Sequence, residues 1–538
     1  MESTILVCFA AYTLLLFLVM WLTGRHGAKG NEAFFRAGRK SPWPVVAYGM
    51  IGASLSGVTF MSVPGDVLAN KWFYMPMVLG YVLGYATIAL VLLPLYYKLN
   101  LTSIYTYLQQ RFGFRSEKTG SLFFIISRLL GSALRMYLVV FVLYEFVFGP
   151  MGIPFWVPAV VFIAIILLYT FTGGIKTVVW TDMLQTTFLI LAAVATVVAI
   201  LNNSNPEVNI TLSDLLPASA ADIFNTNPMA EKYWVKQLLA GMFITITMTG
   251  LDQDMMQKNL TCKTLRDAQK NVMTSSLLFI VVNIVFLCLG AALIAYASQS
   301  GVDLPTAVNP NGETYVVGDK IFPHIAINEF GGFIGVVFVL GLVAAGYSSA
   351  DGTLTALTTT FCYNFLGFEK GERLKVKGER SVDAVDTDNL SPLTSHLSPL
   401  TIRRMVHVSF ALLYLLVIIA FRPLHNDSLI TIIFDVAGFT YGPLLGLYAF
   451  GLFTKLKVDD RWVPYIAVFS PTFCYLLKLF SPDWFGYKFG FEILLVNGLV
   501  TFLLLLLARP GSVAGIWTKI CRWFKSLWQN ISHKKHNS

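Results

Sequence analysis

Apolar runs of about twenty residues alternate with short polar segments along this chain, and the rhythm repeats thirteen times. A helix rises about 1.5 Å per residue, so each run is long enough to cross a hydrocarbon layer of about 30 Å. The pattern predicts helices over 4–24, 43–70, 73–97, 119–148, 154–172, 177–202, 236–255, 272–298, 331–361, 405–421, 428–453, 462–481 and 490–508. Gly and Pro in "GPMGIP" and "FTGGIK" mark tight turns on either side of the fifth run. The short alternating strands that a membrane barrel requires do not occur in the pattern.

Two runs are interrupted. The second contains "GASLSGVTFMSVPGD" at residues 52–66, small and hydroxylated residues that weaken a helix where lipid cannot satisfy its backbone. The seventh, "KQLLAGMFITITMTGLDQDM", turns polar at Gly250 and carries Asp252 and Asp254, which could cap an inner gate or a helix end. With helices 2–6 and 7–11 taken as two halves, these are the first helices of each. A matched pair of Gly-interrupted spans points to a midplane binding site in an inverted-repeat transporter, where unwound carbonyls face cations. Close helix packing is the plainer explanation of either stretch alone. The ninth run, "GLVAAGYSSADGTLTALTTTF" at 341–361, places Ser348, Ser349 and Asp351 among five threonines. Isolated hydroxyls bond their own helix. A carboxylate beside hydroxyls inside a membrane is a functional candidate, because hard cations take oxygen ligands. Asp182, near one end of the sixth run, joins that set.

Composition agrees. The 538 residues are 56% hydrophobic and 13% charged, where a soluble protein carries about 25% charged residues. The first run lacks a basic leader and a small-residue cleavage site, so it reads as an anchor and not a signal sequence. Six scattered cysteines without a CxxC pair predict neither a disulfide framework nor a zinc site. Of the 39 Lys and Arg, 30 fall on inner segments when the N-terminus is placed outside. The positive-inside rule therefore predicts an outer N-terminus and a cytoplasmic C-terminus in a plasma (inner) membrane. The +9 net charge is then topological, which removes nucleic acid as a partner. The longest inner loop, from Glu369 to Leu400, is polar and predicts flexibility. The tail mixes Trp and Phe with Lys and Arg, which predicts an amphipathic segment lying on the membrane.

The segment "GGIKTVVWTDMLQ" (173–185) resembles the signature of the sodium:solute symporter family, and "SLSGVTFMSVPGD" and "DQDMMQKNLTCKTLRDAQK" (252–270) resemble its first and sixth core helices. The family holds sodium-coupled transporters of sugars, proline, iodide, vitamins and sialic acid. The resemblance implies an all-α polytopic membrane protein of the leucine-transporter type, with two inverted five-helix repeats. Its division would be an extra helix in 1–24, repeats in 43–202 and 236–453, two further helices in 454–508 and a cytoplasmic tail in 509–538. It implies sodium as the coupling ion, held by the carbonyls of Gly52, Leu55 and Ala345 and the hydroxyls of Ser348 and Ser349. Some members hold a second sodium through an aspartate matching Asp182 and serines of the ninth helix. Here Asp351 and Gly352 stand where two of those serines would be, so Asp182 and Asp351 are candidates and the second ion stays open.

The cargo is harder to read. Arg128 and Arg135, seven residues apart with Gly131 between them, share one face of the fourth helix. An arginine inside a span needs a counter-ion or a watery cavity, and its fork suits carboxylates. Arg135 is the candidate for holding an anionic solute. The competing reading is internal pairing with Asp66, Asp182 or Glu145, or snorkelling for Arg128. Sialic acid carriers of the family use an arginine in this helix at the position of Gly131, and a polar residue at the position of Val78. By the same resemblance Ser54, Ser56, Thr59, Thr245 and Met248 complete the substrate set, with Met248 where sugar carriers have a gating tyrosine.

The expectation is a sodium-coupled symporter that imports a small organic solute across the lipid bilayer, a carboxylate being one candidate. A neutral sugar or polyol is the alternative, and an intramembrane enzyme or a nutrient sensor a weaker one. Seven dispersed His and six dispersed Cys predict no catalytic constellation, and the short tail predicts no signalling domain. No obligate protein partner is expected.

Overall fold

The computed structural model describes residues 2–25, 30–203, 208–308, 312–368, 397–422, 429–487 and 489–508. Most of the long inner loop and the whole tail lie outside the described residues. A helix stands at each of the thirteen predicted positions. In chain order they are α1 Glu2–Arg25, α2 in two halves (Trp43–Ser54 and Gly57–Asn70), α3 Met75–Lys98, α4 Phe114–Phe148, α5 Trp156–Gly173 and α6 Ile175–Leu201. There follow α7 in two halves (Trp234–Gly250 and Gln253–Asn259), α8 Leu265–Ser300, α9 Gly332–Phe365, α10 Pro399–Ala420, α11 Leu429–Phe453, α12 Val463–Phe485 and α13 Ile493–Leu507. Among the described residues, 10 helices are long and apolar enough to span a bilayer, or up to 12 when each bent pair is one span. α13 is the shorter remainder.

Several helices begin before their apolar runs do. α8 starts at Leu265 because Thr264 caps it, its hydroxyl accepting from the Asp267 amide at 3.1 Å. α10 starts at Pro399 behind Ser398, which accepts from the Thr401 amide at 3.2 Å. Hydropathy does not register such polar first turns.

Both interrupted spans are broken. α2 bends by 61° at Leu55 and Ser56, whose backbones are extended. α7 bends by 72° after a widened turn over Ile246–Gly250, and Asp252 caps the half that follows, accepting from the Met255 amide at 3.2 Å. Around them α6 packs on α9 and on the first half of α2, α3 packs on α7, α8 packs on the second half of α2, and α4 lies between α9 and α11. α9 is the central post, with 83% of its most apolar stretch buried, against 17% for α1. α1 and α12 turn Leu14, Tyr465 and Val468 outward as a lipid-facing surface.

The helix Gly318–His324, which follows a two-stranded hairpin of Thr306–Val308 with Thr314–Val316, covers the far end of α2. A Cβ on Gly65 would sit 2.2 Å from the Gly318 carbonyl, so only glycine lets this cover approach.

Candidate binding site

The two breaks face one cavity. Ser54, Ser56 and Thr59 of α2 and Thr245, Met248 and Thr249 of α7 line it, with Arg128 and Arg135 of α4. Its empty volume is about 740 Å³ including the mouth. Tyr81 and Tyr85 of α3, Tyr74 just before it and Phe279 of α8 form an aromatic wall. The Tyr74 and Tyr81 hydroxyls meet at 2.8 Å, and Ser54 lies 3.4 Å from the Tyr85 hydroxyl. A side recess of about 240 Å³ runs from Arg135 past Gly131 and Ser132 to Tyr441 of α11. Nothing lies within 4 Å of where a Gly131 Cβ would be, so the missing side chain there opens space.

Behind the break, α6 ties α2 to α9. The Thr186 hydroxyl accepts from the Gly52 amide at 3.1 Å and donates to the Asp182 carbonyl at 2.7 Å. A Cβ on Gly52 would come within 2.3 Å of that hydroxyl. One turn back, Asp182 accepts from the Ser348 hydroxyl at 2.7 Å. Leu55, Ala345, Ser348 and Ser349 are all buried. Among the described residues, no backbone amide beyond the break bonds the carbonyls of Gly52 or Leu55. A buried carbonyl without a donor is costly, and hydroxyls and carbonyls without a full charge suit a sodium ion. The residues present therefore fit such an ion.

On the other side of the cavity floor lies a cluster of two cations and four carboxylates. Arg128 donates to Asp254, lies 3.6 Å from Asp252 and donates to the Thr353 hydroxyl at 3.1 Å. Tyr441 donates to Asp252. Lys258, 1% exposed, lies 2.9 Å from Asp182 and 3.4 Å from Asp254. Asp351 accepts from Tyr169 at 2.8 Å, Thr181 at 3.3 Å and Gln185 at 3.4 Å, and from the Gly352 amide at 2.6 Å. An unpaired charge at this depth would be prohibitive. Here carboxylates outnumber cations, and the group joins α4, α6, α7, α9 and α11.

A sequence profile of the sodium:solute symporter family matches residues 34–367, which contain both breaks and the central post. The chain belongs to the sodium:solute symporter family. It is a membrane transporter coupled to sodium, not an enzyme. A sodium/sialic acid symporter of Aliivibrio fischeri is 25% identical over 446 residues, spanning 79% of this chain and 78% of that one. The human sodium/iodide cotransporter is 25% identical over 444 residues, 81% of this chain but 63% of its own length. The solved structure of a Na+-coupled sialic acid symporter, in a substrate-bound outward-open state, superposes with a TM-score of 0.72 at 22% identity, covering 93% of this chain and 96% of that one. That likeness establishes the leucine-transporter-type fold.

In this symporter all six residues expected to touch solute line the one cavity. Val78 is buried outside the lining. The carboxylates expected to pair with the arginines are taken elsewhere: Asp66 by Lys232 at 2.6 Å, Glu145 by Lys320 at 2.6 Å, and Asp182 by Lys258. Arg128 is indeed paired, but with Asp252 and Asp254. Among the described residues, no carboxylate lies within ion-pair distance of Arg135. Asp252 caps the helix end, accepting from the Met255 amide with one oxygen, and meets Arg128 and Tyr441 with the other.

Two groups of residues are not legible as site residues in the sequence. The aromatic wall has helical spacing and reads as ordinary core. Lys258 falls in the inner loop by hydropathy, although its i,i+4 spacing from Asp254 is a signal that α7 resumes.

Proposed function

We propose that this symporter carries a small organic anion, a carboxylate, inward with sodium, and that Arg135 receives the carboxylate. The observation that carries the reading is the contrast on α4. Arg128 has two carboxylates, whereas Arg135 faces the cavity with no carboxylate within ion-pair distance among the described residues. A guanidinium at membrane depth without a counter-ion calls for one from the cargo. The names of the relatives support this: sialic acid and iodide are both anions at neutral pH.

In this reading sodium sits between the carbonyls of Gly52, Leu55 and Ala345 and the hydroxyls of Ser348 and Ser349. It bridges α2 to α9 and fixes the break that offers Ser54 and Ser56 to solute. Thr59, Thr245 and Met248 shape the remaining wall. With the N-terminus outside, the cavity mouth beside Thr59 and Tyr74 faces outward, and the cluster around Arg128 closes the inner side. Sodium favours this outward state, solute completes it, and the two five-helix repeats then rock to release both inward.

The test is thermal stability of the purified protein against a panel of acids and their neutral analogues, in sodium and again in potassium. Sodium alone should stabilise, and an acid should add to it only with sodium present. A neutral sugar or polyol that stabilises while every acid fails would overturn the assignment of Arg135. Identical responses in sodium and potassium would overturn the proposed ion site.

A further inference from the structure

Lys258 lies against Asp182, one of the two aspartates that are candidates for a second sodium. It projects from the short helix Gln253–Asn259 directly after the break in α7, and its ammonium is sealed from solvent. The nitrogen lies 2.9 Å from one oxygen of Asp182, while the other oxygen of that carboxylate accepts from Ser348 at 2.7 Å. One carboxylate thus separates the ammonium from a proposed ligand of the transported sodium. Asp351, one turn beyond Ser348 on α9, is linked back to α6 through Thr181 and Gln185. These are the two aspartates that are candidates for holding a second ion.

Position 352 makes the arrangement feasible. A Cβ there would stand 2.8 Å from the Lys258 nitrogen and 2.3 Å from an oxygen of Asp254. Any side chain would push the ammonium or its counter-ion away. The same glycine offers no hydroxyl to a metal ion. Absence of a ligand and presence of room for the lysine therefore coincide at one residue.

Lysine is a compact point charge on a flexible stem, and here it meets Asp182 at 2.9 Å and Asp254 at 3.4 Å. A sodium ion placed against Asp182 from this side would meet a like charge at contact distance, in a medium that screens poorly.

We infer that Lys258 is a tethered cation that fills the second ion position beside Asp182, between that carboxylate and Asp254, so that this symporter binds a single sodium ion. The inference rests on the sodium-symport reading above and deepens it. It makes Lys258 a positioning residue: through Asp182 it orients the Ser348 hydroxyl.

The experiment counts bound 22Na+ on the purified full chain by equilibrium dialysis, without solute and in a potassium background. Wild-type protein should bind one ion per chain with a Hill slope near one, and Lys258→Arg should do the same. The double variant Lys258→Met with Gly352→Ser, which removes the ammonium and restores a hydroxyl, should bind two with a steeper slope. Two ions on the wild type would overturn the inference whether or not the double variant folds. One ion on both wild type and a folded double variant would also overturn it. No bound sodium at all would instead remove the symport reading on which it rests.

Discussion

Arg128 and Arg135 stand two turns apart on the same face of α4; Asp252 and Asp254 hold Arg128, while Arg135 points into the cavity. The same side chain thus does two different jobs on one helix. Arg128 fastens α4 to the break in α7, and in the proposed reading Arg135 receives the charge of the cargo.

Replacing Arg135 with Gln should separate cargo from scaffold. Truncating one partner of a desolvated charge pair costs about 2–5 kcal/mol, so affinity for a carboxylated solute should fall at least about thirtyfold. Sodium-dependent stabilisation without solute should survive, since no internal pair is broken. Isothermal titration of wild type and variant with the stabilising acid checks both halves.

Arg128→Gln should behave in the opposite way. It leaves Asp252 and Asp254 short of a cation, and breaking a buried pair in this manner costs about 3–5 kcal/mol. The melting temperature should drop even without ligand. Adding Asp254→Asn should recover part of the loss, a coupling that a double-mutant cycle would measure.

Ser348→Ala removes a proposed sodium ligand and the donor to Asp182. The sodium concentration for half-maximal stabilisation should rise on the order of tenfold, in keeping with about 1–3 kcal/mol for a buried polar partner lost. Solute affinity measured at saturating sodium should change far less. A sodium titration at several fixed solute concentrations distinguishes the two.

Gly52→Ala should injure the break itself. Its Cβ would meet the Thr186 hydroxyl at 2.3 Å and the Thr186 Cβ at 3.2 Å. Overpacking of this kind costs about 1–3 kcal/mol, and the displaced α2 should also weaken sodium binding. Thr186→Ala in the same chain removes the nearer atom and should restore stability in part, as a thermal melt would report.

Much of this site is legible in the sequence. Helix positions follow from hydropathy, because lipid imposes a uniform demand on every span. The breaks at Leu55 and Asp252 follow from small and polar residues that no lipid-exposed helix would carry. What stays hidden depends on contacts between distant parts of the chain. Arg128 meets Asp254, 126 residues away, and nothing local distinguishes that partner from Asp66 or Glu145. Tyr74, Tyr81 and Tyr85 read as core because an aromatic wall and an aromatic core share one periodicity. Lys258 reads as a loop residue because a seven-residue helix past a kink is too short for any hydropathy window. The flexible loop and the amphipathic tail expected from composition lie, for the most part, outside the described residues.

The lodging of Lys258 against Asp182 has an electrical consequence. A charge bonded to the chain cannot leave with the cargo, so it contributes nothing to the current of a completed cycle. With one mobile sodium and a monovalent anion, inward transport moves no net charge. Uptake is then blind to membrane voltage, which would lend about 2.3 kcal/mol per 100 mV to any further mobile cation. Solute can be concentrated only as far as sodium is diluted: a tenfold sodium ratio supports at most about a tenfold solute ratio. Such a carrier would keep working in a depolarised cell and would stop when the two ratios met.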